Sequence, residues 1–177
     1  MEIIIQILIT MAFSAFFSGM EIAFVSSNKL RFEMDRNEQS ITSRILSIFY
    51  QNPNNFISTL LVGNNIALVI YGILMAELIE QQLLADYISN EFMLVLTQTI
   101  ISTLIILVTG EFIPKTLFKI NPNFTLSLFA IPSFICYIVL YPISKFASGI
   151  SGILLRLTGT KVNKEASAKA FTKVDLD

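Results

Sequence analysis

The chain has 177 residues, of which 54% are hydrophobic and 14% charged, and its formal net charge is −1. Soluble domains carry about 25% charged residues, so the composition predicts a membrane protein, and the lack of a basic excess argues against nucleic acid as a partner. With no histidine and a single cysteine, the chain lacks the usual ligands of zinc and haem and any disulfide framework, and its oxygen ligands suit hard cations such as Mg²⁺, Ca²⁺ or Na⁺.

Three apolar stretches are each long enough to cross a bilayer as a helix, which takes about 20 residues. They cover residues 3–25, 56–76 and 92–113. No basic segment precedes the first stretch, so we expect a membrane helix there and not a cleaved signal peptide. Together with a fourth apolar region, these stretches predict a transmembrane domain over residues 1–159.

The basic residues of the connections predict the orientation of the spans. The first connection carries Lys29, Arg31, Arg36 and Arg44. The second carries no basic residue; its charged residues are all acidic, namely Glu77, Glu80, Asp86 and Glu91. Lysine and arginine accumulate on the cytoplasmic side of a membrane. We therefore expect a multi-pass protein of the cell membrane with an external N-terminus and a cytoplasmic C-terminus.

Residues 28–51, in the first connection, alternate in charge and then place Ile41, Ile45, Ile48 and Phe49 at helical spacing. This pattern predicts one or two short amphipathic helices on the cytoplasmic membrane face. A solvated charged loop with a helical end is the alternative.

The fourth apolar region, residues 124–157, contains Pro132 and Pro142. A full crossing by residues 124–143 would place the lysines that follow outside, against the usual charge rule. We predict a bent helical hairpin that breaks near Pro142 and enters and leaves on the cytoplasmic side. Two short full crossings are the alternative, and both leave residues 160–177 as a cytoplasmic linker or tail.

The first polar motif, FFSGMEIAFVS at residues 16–26, lies near the inner end of the first span. Ser14, Ser18 and Glu21 are four and three residues apart, so they share one helix face, and Gly19 lets another backbone approach. Serines in membrane helices often bond their own i−4 carbonyl. That role is expected for Ser14, whereas Ser18 is favoured as a ligand.

The second motif, VGNN, places two adjacent amides, Asn64 and Asn65, within an apolar span. Unpaired amides in hydrocarbon are costly, and helix geometry turns the two about 100° apart. We expect one amide to face a central site and the other to cross-link helices, with interhelical bonds for both as the alternative. Asn64 is the better ligand candidate.

The third motif, GEFIPK at residues 110–115, is where the third span is predicted to end. Pro114 has no N–H, so the Gly110 carbonyl loses its helical partner beside the Glu111 carboxylate. Such a pair of hard oxygens is suited to a cation. In the alternative, Pro114 merely ends the helix and Glu111 pairs with Lys115. All three motifs are predicted to lie at a similar depth near the inner leaflet, where they could form one site.

In this order, the three motifs resemble the membrane domain of the CorC/cyclin M family of magnesium transporters, over about residues 1–160. The resemblance implies an all-α homodimer with three spans per subunit and a juxtamembrane helical pair. It also implies a cytoplasm-facing Mg²⁺ site and Mg²⁺ efflux coupled to Na⁺. Carried over residue by residue, the Mg²⁺ ligands are Ser18, Asn64, the Gly110 carbonyl and Glu111.

Six further residues are expected to support these ligands or to line the path of a coupling ion: Ser14, Glu21, Ser26, Asn65, Pro114 and Lys115. Family members usually continue into cytoplasmic CBS modules; the sequence stops at Asp177, so either it is truncated or regulation lies elsewhere. Regulatory modules of that type and membrane lipid are the expected partners. The competing hypothesis is a membrane anchor or assembly module without transport activity. An enzyme is not expected, because the sequence contains no nucleophile motif and no histidine.

Overall fold

Helices account for the fold of residues 2–35, 40–79 and 90–157, which are the residues described by a computed structural model. A bilayer offers backbone groups no partner outside their own segment, so apolar spans of this length fold as helices. In chain order the elements are α1 (Glu2–Ser26), α2 (Lys29–Asp35), α3 (Ile41–Gln51), α4 (Pro53–Ile79), α5 (Glu91–Ile106), a π-helical segment (Leu107–Phe112), α6 (Ile113–Ile120), α7 (Pro122–Leu128) and α8 (Ala130–Leu157).

Three parts of the described chain are long and apolar enough to cross a membrane: α1, α4 and the continuous run Glu91–Ile120. The prediction of an all-α protein with three spans is thereby confirmed. Within the predicted amphipathic region, the described residues form two short helices, α2 and α3. Most of the predicted second connection and the predicted tail, residues 160–177, lie outside the described residues.

The third of these runs does not end at Pro114, and the prediction that it does is wrong. The π segment carries the helix into α6, where Pro114 occupies the first turn. An N–H in the first turn of a helix needs no intrahelical acceptor, so a proline is tolerated there. The helix therefore continues to Ile120.

Helices α7 and α8 form a pair that is bent by 68° at a short break. The bend lies at Phe129, and the prediction of a break near Pro142 is wrong because α8 runs through Pro142 to Leu157. Pro132 explains the position of the bend. It cannot donate to the Leu128 carbonyl four residues earlier, so α7 ends at Leu128 and a new helix starts.

The basic end of the bundle is the end where α1 finishes, α4 begins and α6 meets α7. There the backbone N–H of Asn28 donates to Asn123 Oδ1 at 3.3 Å. Stacked rings pack α3 onto the bundle: the centroids of Phe49 and Phe56 are 3.8 Å apart and their planes differ by 12°. The hydroxyls of Ser27 and Tyr50 lie 2.7 Å apart and form a hydrogen bond. The short helices α2 and α3 thus belong to the packed structure of this end.

A second apolar cluster packs between α1, α4 and α5 towards the opposite end of the bundle. Its buried members are Ile7, Tyr71, Met75, Ile79 and Ile106. The Tyr71 hydroxyl donates to the Ser102 carbonyl at 3.0 Å and so ties α4 to α5. This apolar plug separates the polar residues described below from the far end of the spans.

Candidate ion site

Ser14, two residues before the first motif and on the same helix face as Ser18, forms a buried hydrogen bond with the second motif. The Ser14 hydroxyl donates to Asn64 Oδ1 at 2.8 Å, and Ser14 is fully buried. The expectation that Ser14 bonds its own helix is therefore wrong. Asn64 is buried whereas Asn65 is exposed, so the two amides diverge and Asn64 is the one that cross-links helices. A carbonyl oxygen has two lone pairs, and Asn64 Oδ1 can accept Ser14 and still coordinate a cation.

The third motif meets α1 at Gly110, beside the Ser14–Asn64 bond. A Cβ built on Gly110 would lie 3.2 Å from Ser14 Oγ and 2.6 Å from Ile106 Cδ1. A Cβ here would crowd the Ser14 hydroxyl, so the glycine helps the backbone of the π segment to pack closely against α1. Ser14, Asn64 and Gly110 thus form a polar junction of three helices, which we call the junction.

The π segment gives Gly110 an irregular backbone. The Ile113 N–H donates to the Val108 carbonyl, five residues back, and such π turns are frequently found at functional sites. Pro114 has no N–H, so it serves neither the Thr109 nor the Gly110 carbonyl. The sequence analysis did not predict the π turn. The only signal for it is a glycine four residues before a proline, which also suits an ordinary helix end.

Ser18 lies one helical turn from Ser14 towards the basic end. Its side chain is fully buried, and among the described residues its hydroxyl has no hydrogen-bond partner. Leaving a buried hydroxyl unpaired costs about 1–3 kcal/mol. Ser18 Oγ is therefore the polar atom of the first motif that an added oxygen ligand, water or cation would satisfy.

A charged set lies beside the junction. Lys115 Nζ is 3.6 Å from Glu111 Oε2, and the two side chains are 41% and 32% exposed. Glu21, on α1, lies within electrostatic range of both Lys115 and Glu111. The structure therefore pairs Glu111 with Lys115, as in one of the two alternatives from the sequence, and not with Ser18 or Asn64.

Two of the predicted supporting residues lie apart from the junction. Asn65 faces away from it on the exposed side of α4, and Ser26 is half-buried at the end of α1. Ser26 is eight residues beyond Ser18, which is about 12 Å along a helix, so one ion cannot contact both. Pro114 is buried in the first turn of α6, directly after the π segment. It has no N–H and therefore leaves carbonyl oxygens of that segment without a hydrogen bond from this residue.

The arrangement is suited to a hard cation bound mainly by neutral oxygens. The junction contains hydroxyl, amide carbonyl and backbone carbonyl oxygens, and the Ser18 hydroxyl lies one helical turn closer to the basic end. The carboxylates of Glu21 and Glu111 belong to the charged set beside the junction. Within the described residues no group of three or more Asp, Glu, Cys or His side chains gathers to hold a metal. Mg²⁺ is typically bound through one or two carboxylates and retained waters, which is consistent with this set.

Comparison with known proteins gives two kinds of match. The model of the cyclin M transmembrane N-terminal domain matches residues 4–177. The chain is 29% identical over 150 residues to the UPF0053 protein MG146 homolog of Mycoplasma pneumoniae. It is 27% identical over 150 residues to the UPF0053 protein MG146 of Mycoplasma genitalium. Each alignment covers 82% of this chain and 34% of the relative, so the chain spans about a third of the length of the curated relatives it matches.

Proposed function

The chain belongs to the family of the cyclin M transmembrane N-terminal domain, as the three motifs predict, and is a multi-pass membrane protein; from its junction and charged set we propose that it binds Mg²⁺ and exports it in exchange for Na⁺. The proposed ligands are Ser18 Oγ, Asn64 Oδ1, the Gly110 carbonyl and a Glu111 carboxylate oxygen, with waters completing the shell. Ser14 holds Asn64 in place, and Glu21 adds negative charge.

The observation that carries this proposal is the meeting of the three motifs around buried oxygen atoms. Ser18 Oγ is buried without a partner among the described residues, and Ser14 joins Asn64 to the glycine of the π segment. Irregular helix backbone that frees carbonyl oxygens is how many transporters bind ions. A site of mainly neutral oxygens would hold Mg²⁺ weakly enough to release it, which a carrier requires.

We propose that the basic end faces the cytoplasm. Lys29, Lys115 and Lys119 lie at this end, and basic residues accumulate on the cytoplasmic side. The side chains of Glu111 and Lys115 are partly exposed here, whereas the apolar plug around Tyr71 lies towards the opposite end. In this arrangement an ion reaches the site from the cytoplasm, and the described conformation is inward-facing.

The assembly expected from the resemblance remains part of the proposal. All residues of α5 lie in the described part of the chain, and Ile106 is the only one of them that is buried. A homodimer would cover part of this exposed helix, and it could also cover Asn65 on α4. In proteins of the full length of the relatives, cytoplasmic CBS-type modules would be attached and would regulate the transport domain.

Flux through the purified chain in liposomes tests the proposal. We expect Mg²⁺ efflux that a Mg²⁺-sensitive dye reports and that a Na⁺ gradient accelerates. Glu111→Gln should reduce the rate at least tenfold, because a neutral amide replaces the one carboxylate among the proposed ligands. Glu91→Gln is the matched control, since Glu91 is an exposed carboxylate at the start of the same continuous helical run, and it should leave the rate unchanged.

A membrane anchor without transport activity is the second candidate. It is favoured by the Ser14–Asn64 bond and the Glu111–Lys115 pair, which satisfy these polar groups without any ion. Absence of flux from correctly folded protein, together with absence of Mg²⁺ binding, would support the anchor and contradict the transporter.

A further inference from the structure

Lys115 places a positive charge where the proposed site needs an ion. Its ammonium nitrogen lies 3.6 Å from Glu111 Oε2, one turn along the helix from the carboxylate that is proposed to bind Mg²⁺. Lys115 also interacts favourably with Glu21, while Glu111 and Glu21 repel each other. One lysine therefore neutralises part of the charge of two carboxylates on two different helices.

We propose that Lys115 is a tethered counter-cation: its ammonium group occupies the Glu111 carboxylate while the site is empty, and Mg²⁺ displaces it on binding. The inference rests on the proposed function, because it assigns a role to Lys115 only if Glu111 is a ligand. It goes further in giving the chain its own competitor for the transported ion.

The exposure of the pair makes displacement feasible. The side chain of Lys115 is 41% exposed and that of Glu111 is 32% exposed, and ion pairs in contact with solvent are weak. Lysine is also a point charge on a flexible four-carbon stem. It can therefore swing into solvent when a divalent cation takes the carboxylate, at little cost to the fold.

The charge balance explains why a competitor is useful. Without an ion, Glu21 and Glu111 next to the apolar bundle would be two carboxylates with no compensating charge, which is costly near hydrocarbon. Lys115 lowers the net charge of this set of three from −2 to −1. After Mg²⁺ leaves towards either side, Lys115 returns to Glu111, which lowers the apparent affinity and favours release.

This role predicts an unusual sign for a substitution. Removing a residue that merely orients Glu111 would weaken Mg²⁺ binding. Removing a competitor strengthens it, because Mg²⁺ no longer has to break an ion pair. From the usual strength of a partly exposed pair, we expect Lys115→Gln to bind Mg²⁺ about two- to fivefold more tightly than the unaltered chain.

The experiment is a calorimetric titration of the purified chain in lipid nanodiscs with Mg²⁺ alone. It compares the unaltered chain with Lys115→Gln, Lys115→Met and Lys119→Gln. Lys119 is the matched control, since it is exposed and lies one turn further along the same helix α6. It controls for the loss of one positive charge at the same end of the bundle, and its substitution should change the affinity much less.

Tighter binding by each Lys115 variant that folds, with Lys119→Gln close to the unaltered chain, supports the inference. Equal tightening by Lys119→Gln would overturn it, because a general surface charge would then explain the effect. Unchanged or weaker binding by a Lys115 variant with unaltered circular dichroism would also overturn it, while leaving the proposed Mg²⁺ site intact. If the unaltered chain binds no Mg²⁺, the proposed function fails and the inference fails with it. Two variants are used so that poor folding of one still leaves a result.

Discussion

The hydrogen bond between Ser14 and Asn64 leads to the most direct test of the junction. Substituting Ser14 by Ala removes the hydroxyl that donates to Asn64 Oδ1 at 2.8 Å. Both residues are buried, with Ser14 at 0% and Asn64 at 8% exposure. Water therefore cannot readily replace the lost donor, and the amide oxygen would be left with an unsatisfied lone pair.

The magnitude follows from the setting of the bond. Hydrogen bonds between membrane helices average about 0.6 kcal/mol and reach about 1.7 kcal/mol in double-mutant cycles. A short, fully buried bond belongs in the upper half of that range. We therefore expect Ser14→Ala and Asn64→Leu to show a coupling free energy of about 1 kcal/mol, with the double variant less destabilised than the sum of the single variants.

The assay is reversible unfolding in mixed micelles, with a chelator present so that ion binding does not contribute. The control cycle combines Ser14→Ala with Thr59→Ala. Thr59 is also buried on α4, but its hydroxyl donates to the Asn55 carbonyl of its own helix at 2.8 Å. These two substitutions should add within about 0.5 kcal/mol. A Ser14–Asn64 coupling as small as that of the control would refute the junction, and with it the meeting of the first two motifs.

Two other predictions concern the packing of α4. Gly63→Ala should destabilise the fold by about 1–3 kcal/mol, measured by thermal unfolding, because the new Cβ would lie 2.6 Å from Phe17 Cζ. Gly72→Ala on the same helix has nothing within 4 Å of its Cβ and should be neutral or stabilising, so equal losses for both would contradict the helix contact. Tyr71→Phe should cost about 0.5–1.5 kcal/mol, because its hydroxyl donates to the Ser102 carbonyl; the same melting assay would contradict this bond if the variant melts with the unaltered chain.

Those features of the fold that depend on length and composition are readable in the sequence. A helix needs about 20 apolar residues to cross a bilayer. The three stretches identified from the sequence meet this condition more clearly than any other stretch. The short helix α3 follows from apolar residues that recur at helical spacing, whereas α2 falls in the stretch of alternating charges. These signals are repeated over many residues, so single exceptions do not obscure them.

The features that were predicted wrongly each depend on a single residue. Among the prolines in the second half of the chain, Pro114, Pro132 and Pro142 could each end a helix. In the structure the helix continues through Pro114, bends just before Pro132 and runs through Pro142. The choice depends on whether neighbouring turns can shift their hydrogen bonds, as the π segment does, and the sequence does not contain that information.

The candidate site also has a part that the sequence predicts and a part that it does not. The sequence predicts the depth of each residue in the membrane but not the residue with which it interacts. Orientation and span length place Ser18, Asn64 and Gly110 at a similar depth, and Ser14 does bring Asn64 and Gly110 together. Depth does not decide which way a flexible side chain turns. The Glu111 carboxylate could turn towards the junction, where a cation would be shared with other oxygen atoms, or towards Lys115 one turn along the helix. In the structure it forms an ion pair with Lys115. A carboxylate without a counter-charge is costly near an apolar bundle, and Lys115 supplies that charge to Glu111. The pairing is therefore consistent with the transport proposal and turns it into a competition between lysine and Mg²⁺, whose outcome the Lys115 variants measure.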